Sequence, residues 1–185
     1  MMKKSWLMAL SLGLWGTVLS AQKFMTRDAR ISFLSEAPLE KIEAINKSGS
    51  AVLDLESGRM EWKVLIKNFI FEKKLMQEHF NENYMESDKY PNATFKGEVV
   101  NAREINWSKE GTYDVRARGK MTIHGVERDI EVPGKITVSA GKLNVTADFK
   151  VACADYNIAI PTVVRDNIAK EIAVHVEAAL TPLNR

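Results

Sequence analysis

Apolar and polar residues alternate along most of this chain. In Thr112–Ile123 one parity reads Tyr113, Val115, Ala117, Gly119, Met121 and Ile123. The other reads Thr112, Asp114, Arg116, Arg118, Lys120 and Thr122. Successive side chains of a strand point to opposite faces, so this is a half-buried antiparallel strand, dry on one side and wet on the other. The pattern recurs in Met60, Trp62, Val64 and Ile66, in Val145, Ala147, Phe149, Val151 and Cys153, and in Ile172, Val174, Val176, Ala178 and Leu180. Shorter strands are expected at Arg30–Leu34, Ile42–Asn46, Ala51–Leu55, Ala93–Val100 and Ile130–Val138. Turn signals stand at Ser48-Gly49, Ser57-Gly58, Glu110-Gly111, Pro133-Gly134 and Ala140-Gly141.

One segment departs from period two. From Glu72 to Tyr84 the apolar residues Leu75, Met76, Phe80 and Tyr84, with His79 beside them, have helical spacing. The helix is expected to end before Ser87-Asp88 and Tyr90-Pro91, because proline disfavours helical backbone in its predecessor. One helix cannot cover both faces of so many strands. The expected fold is therefore all-β with one inserted α-helix, a closed antiparallel β-barrel of about eight strands. Such a barrel is either filled by its own side chains or holds one small ligand. Gly97, Ala117, Gly119, Ala147 and Ala178 fall on the candidate interior face. They either leave room for a cavity or relieve crowding where the barrel tapers, and the residues leave both open.

Charge changes the picture at the N-terminus. Lys3 and Lys4 precede an apolar run from Trp6 to Leu19 that closes on Ser20-Ala21, the pattern of a cleavable export signal over residues 1–21. The run is too short for a membrane span. The expected mature domain is 22–185. Losing those two lysines leaves it with as many basic as acidic side chains, 24 of each, where the whole chain carries +2. A neutral domain without a basic block is not expected to bind nucleic acid. The single cysteine, Cys153, cannot form an internal disulfide.

Candidate chemistry is sparse. His79, His124 and His175 do not share a metal-ligand spacing, and no phosphate cradle or nucleophile elbow is present. Cys153 lies on the apolar parity, where a thiol behaves as a small inert hydrophobe. The residues describe a container more than an enzyme. A dry lumen suits a long hydrocarbon chain, which would lie against Trp62, Val64, Phe95, Val115, Met121, Ile123, Phe149 and Val151. The helix would act as a lid through Leu75, Met76 and Phe80. Two other readings fit the alternation: a small outer-membrane β-barrel with its apolar face toward lipid, and a ligand-free structural or stress-related module with a packed lumen.

Three blocks resemble the YceI-like family: HFNENYMESDKYPNATFKG from His79, GKMTIHGVERDI from Gly119 and FKVACADYNIAIP from Phe149. The opening strand, Asp28 to Phe33, lacks the His-Ser pair that many members carry there. The resemblance implies a lipocalin-like barrel exported to the periplasm, without enzymatic activity, that binds amphiphiles such as polyisoprenoid chains. The expected partner is then a long-chain lipid, with transient membrane contact and a homodimer both compatible. No cofactor is expected beyond an isoprenoid quinone or polyprenyl lipid bound as ligand.

Overall fold

The computed structural model describes residues 23–183, so the expected export signal lies outside the described residues. The alternation folds into β1 (Lys23–Glu36), β2 (Lys41–Asp54), β3 (Arg59–Leu65), β4 (Ile70–Phe71), β5 (Asn92–Val99), β6 (Gly111–Ile123), β7 (Val126–Ser139), β8 (Lys142–Ala152) and β9 (Glu171–Pro182). Neighbours run in the order β1-β9-β8-β7-β6-β5-β3-β2, and β1 also pairs with β2, so eight antiparallel strands close on themselves. The two-residue β4 hangs on β2 through Ala44↔Phe71 and Ile45↔Ile70. Closure removes the free edges that an open sheet of this length would expose.

Two of the expected turns lie inside strands. Ser48-Gly49 does not separate two short strands but lies within β2. Here β1 and β2 shift register, with Gly49 opposite Ala29. Asn46, fully buried, accepts the Ser48 amide and hydroxyl at 2.9 and 3.0 Å and donates to the Leu65 carbonyl at 2.9 Å. Residues that would make a turn thus build a bulge that bends the strand. Pro133-Gly134 likewise sits within β7. Pairing of β7 with β8 begins only at Gly134↔Ala147, so the missing proline N–H falls where the ladder stops. The tight connections His124-Gly125 and Ala140-Gly141 have φ of 50° and 73°, and 48° and 71°. Positive φ at both central residues matches the twist of a two-residue hairpin.

The apolar parity faces inward. The outer wall carries cross-strand ion pairs between β6 and β7: Arg118–Glu131 at 2.8 Å, Lys120–Glu127 at 2.6 Å and Lys135–Asp114 at 2.6 Å. A lipid-facing barrel needs the opposite arrangement, which corrects the outer-membrane reading. At one end, hereafter the floor, Leu53, Ile136, Leu143 and Leu180 are almost wholly buried. Val99, Ala102 and Ile105 from β5 and the following loop join the same core. The other end carries β4, the helix and the long connection between β8 and β9, and is hereafter the mouth.

Gly97 and Gly119 face each other across β5 and β6. A methyl group on Gly119 would overlap the Lys96 carbonyl oxygen and the Gly97 Cα, and one on Gly97 would overlap the Arg118 carbonyl oxygen. These two glycines therefore let the strands approach and do not open the lumen. Gly119→Ala is expected to lower stability by about 1–3 kcal/mol through forced backbone movement, read from the urea midpoint.

On the outer wall His175 Nδ1 lies 2.7 Å from Asp148 Oδ1, and that hydrogen bond, with help from Glu177, holds the imidazole above its ordinary value of 6.5. A group whose folded value is raised stabilises the fold fully below its unfolded value, and the gain is lost as pH rises through the folded value. His175→Gln should therefore flatten the pH dependence of the urea midpoint above pH 6.5. The amplitude should stay within about 1 kcal/mol, since the pair is exposed.

Candidate ligand-binding lumen

The inward side chains of a closed barrel must either fill it or enclose space. Below, they fill it; above the floor, they enclose a cavity of about 490 Å³. That size lies within the usual range of small-molecule pockets, roughly 300–1,000 Å³. It also corrects the reading of a fully packed lumen. Ala117, Gly134 and Ala147 line the cavity, while Gly97, Gly119 and Ala178 do not. Of the five small residues expected on the interior face, Ala117 and Ala147 thus open the lumen.

Ten of the eleven residues proposed from the sequence line the cavity: Trp62, Val64, Met76, Phe80, Phe95, Val115, Met121, Ile123, Phe149 and Val151. Leu75 does not; its side chain is 61% exposed. The helix explains the difference. It comprises α1 (Lys74–His79) continued by a π-helical turn, Phe80–Tyr84, in which the Met85 amide reaches the Phe80 carbonyl at 2.9 Å. Met76, Phe80 and Tyr84 share the inner face at four-residue spacing, with His79 at its margin. Leu75 is rotated about 100° from Met76 and points away. The α-helix is also shorter than the predicted Glu72–Tyr84, because Phe71 is held in β4 and the last turn widens.

Phe80 completes a cluster that the alternation does not announce. Its ring stacks on Phe33 at 5.5 Å and meets Phe69 and Phe71 at 5.8 and 5.0 Å. Phe33 lies 5.3 Å from Phe69 and 5.7 Å from Phe71. All four rings line the cavity. Aromatic pairs at these separations gain about 0.5–1.5 kcal/mol beyond their buried area. The cluster fastens the helix to β1 and β4.

Polar groups gather at the mouth. Glu40 Oε1 accepts from Lys73 Nζ at 3.3 Å and its Oε2 from Asn167 Nδ2 at 3.4 Å. Buried Ser35 accepts the Ala169 amide at 2.9 Å. These bonds tie the β1–β2 turn to the helix and to the connection before β9. Burial holds the Tyr84 phenol above its ordinary range, so it faces the cavity uncharged. Cys153 is buried against the cavity, and burial pushes its thiol up, the environment of an inert hydrophobe. Nothing in this lining pairs a nucleophile with a base. Among the described residues no group of His, Cys, Asp and Glu could hold a metal ion.

His124 acts as a bracket on the wall. Its Nε2 lies 2.8 Å from Glu86 Oε2, its Nδ1 3.1 Å from the Tyr156 carbonyl, and Tyr90 meets its ring edge-on at 4.6 Å. Arg128 donates to the Asp155 carbonyl at 2.8 Å. Together they hold Cys153–Tyr156, a 3₁₀ turn, beside the upper part of β7, where β8 has diverged. Pro133 and Thr146, at the point of divergence, also border the cavity.

Comparison with known proteins places this architecture. No significant match exists among curated protein sequences. A polyisoprenoid binding domain from Saccharophagus degradans, implicated in plant cell wall breakdown, has a similar structure. The likeness covers 88% of this chain and 99% of that one, with a TM-score of 0.75 at 15% identity. BcnA from Burkholderia cenocepacia is similar over 83% of this chain and 96% of its own, with a TM-score of 0.68 at 17% identity. The Campylobacter jejuni YCEI protein is similar over 100% of both chains, with a TM-score of 0.57 at 17% identity. At such identities the likeness shows the fold, a closed lipocalin-like barrel. The YceI-like domain profile matches residues 23–180, from the first residue of β1 into β9, so every strand of the barrel is covered and the chain belongs to the YceI-like domain family.

Proposed function

We propose that this chain is a periplasmic carrier or sequestering protein, without enzymatic activity, for one long-chain amphiphilic lipid of the isoprenoid class. The observation that carries the reading is the cavity itself: about 490 Å³, walled almost wholly by apolar side chains, above a packed floor and below polar groups at one end. A hydrocarbon tail would lie between Val115, Met121, Phe149 and Val151, with its head near Glu40, Tyr84 and Asn167. Family membership supports a binding role, and the Saccharophagus degradans neighbour supports the isoprenoid class. Export to the periplasm rests on the leader expected at 1–21, and its removal would leave the barrel domain 22–185.

Burial of the tail drives binding in this reading. Each methylene placed in the lumen contributes roughly 0.8 kcal/mol, about four-fold in affinity, until the cavity is full. Affinity for a polyprenol series should therefore rise with length and then level off. A length-independent series would refute lumenal binding.

Protein purified from its native source should yield a stoichiometric isoprenoid lipid on organic extraction and mass spectrometry. Val115→Arg puts an unpaired charge in the lumen and should abolish retention; circular dichroism must first show that the variant folds. Ala147→Phe offers an uncharged second route, filling the cavity at a residue that lines it. Both variants, folded and still fully occupied, would overturn the lumen assignment.

A further inference from the structure

Seven large hydrophobic side chains are exposed on the described residues, and their distribution is uneven. Leu39 (72% exposed), Ile70 (59%), Leu75 (61%) and Val163 (89%) all lie at the mouth, on the β1–β2 turn, β4, α1 and a 3₁₀ turn, Thr162–Val164. Each is the immediate chain neighbour of a residue that lines the cavity: Glu40, Phe69 and Phe71, Met76, and Val164 respectively. Direct bonds hold these segments together. The Leu39 amide donates to the Asp166 carbonyl at 2.9 Å, and Glu40 contacts both Lys73 and Asn167. β4 is anchored by Ile70↔Ile45 and runs into α1 through Lys73. The four segments therefore form one bonded arc around the mouth, and each exposed side chain stands next in the chain to a residue of the lumen wall.

We propose that this arc is a membrane-docking face, and that its partner is the interfacial region of a phospholipid bilayer. The inference rests on the lumen reading above, because a membrane lipid must pass between bilayer and cavity. Crossing open water would expose each methylene of its tail, and docking the rim spares that exposure. The charges favour a bilayer over an electrostatically steered protein partner. Lys73 pairs with Glu40, and Lys41 with Glu43 at 2.7 Å, so charges of both signs stand side by side on the rim. Isolated apolar tips on four short segments suit insertion into a fluid surface. A protein hot spot concentrates its anchors in one packed pocket.

The test is co-flotation of the mature protein with phosphatidylcholine/phosphatidylethanolamine vesicles, with and without phosphatidylglycerol. Wild type should float with both compositions. Leu39→Ser combined with Val163→Ser should weaken association at least about ten-fold. Leu183→Ser, which removes an exposed side chain at the floor end, should leave it unchanged. A Val163→Trp variant should show quenching by brominated lipid beyond that of wild type, whose native Trp62 lines the lumen, placing the tip in the membrane. Wild type that carries lipid yet stays out of the vesicle fraction would overturn the docking face and leave the lumen reading intact. Equal loss in the rim and floor variants would also overturn it. Vesicle binding by protein that never yields a lumenal lipid would sustain the docking face and overturn the lumen reading.

Discussion

A twisted antiparallel sheet with one apolar face has to hide that face, and the described residues supply one short α-helix to help. The rest of the structure depends on the solution, which is to pair β1 with both β2 and β9. Closure turns the dry parity of eight strands toward a common axis and the charged parity toward water. No wall residue then needs a covering layer. What remains is to seal two ends, and the chain seals them differently.

At the floor, the loop after β5 folds back under the barrel. Asn101 holds it by donating to the Asp114 carbonyl at 2.9 Å and accepting the Arg116 amide at 3.2 Å. Ala102 and Ile105 are buried in one core with Leu53 and Leu143, which packs this end. At the mouth the chain instead lays a helix across the opening and secures it by one ring, Phe80, set among three others. The widened turn from Phe80 to Tyr84 lets Phe80 and Tyr84 face the cavity while the chain prepares to re-enter at β5. A sealed base and a pinned cover make the interior a single-ended vessel.

Alternation was enough to read the wall. Val64, Phe95, Val115 and Val151 line the cavity because a strand's period of two leaves a side chain no third choice. Local signals failed where tertiary pairing overrode them. Gly49 and Pro133-Gly134 are turn chemistry by composition, yet a neighbouring strand recruits the one as a bulge and the end of a ladder tolerates the other. The meeting of Phe33, Phe69 and Phe71 is not legible in the sequence, because it depends on β4 pairing with β2, a contact that no local period encodes. Leu75 shows the opposite failure. A helix with so few residues offers too little periodicity to tell its inner face from its flank.

The divergence of β7 and β8 has a mechanical meaning. Their ladder runs from Ser139↔Lys142 up to Gly134↔Ala147 and no further, while the upper parts of both strands stay paired on their other sides, to β6 and β9. Below Gly134↔Ala147, backbone bonds therefore hold β7 and β8 together. Above it, that seam is closed by two side-chain brackets, Arg128 to Asp155 and His124 to Tyr156. Widening the barrel along this seam would cost those two side-chain bonds and no rung of the β7–β8 ladder, which makes it a compliant line in the wall.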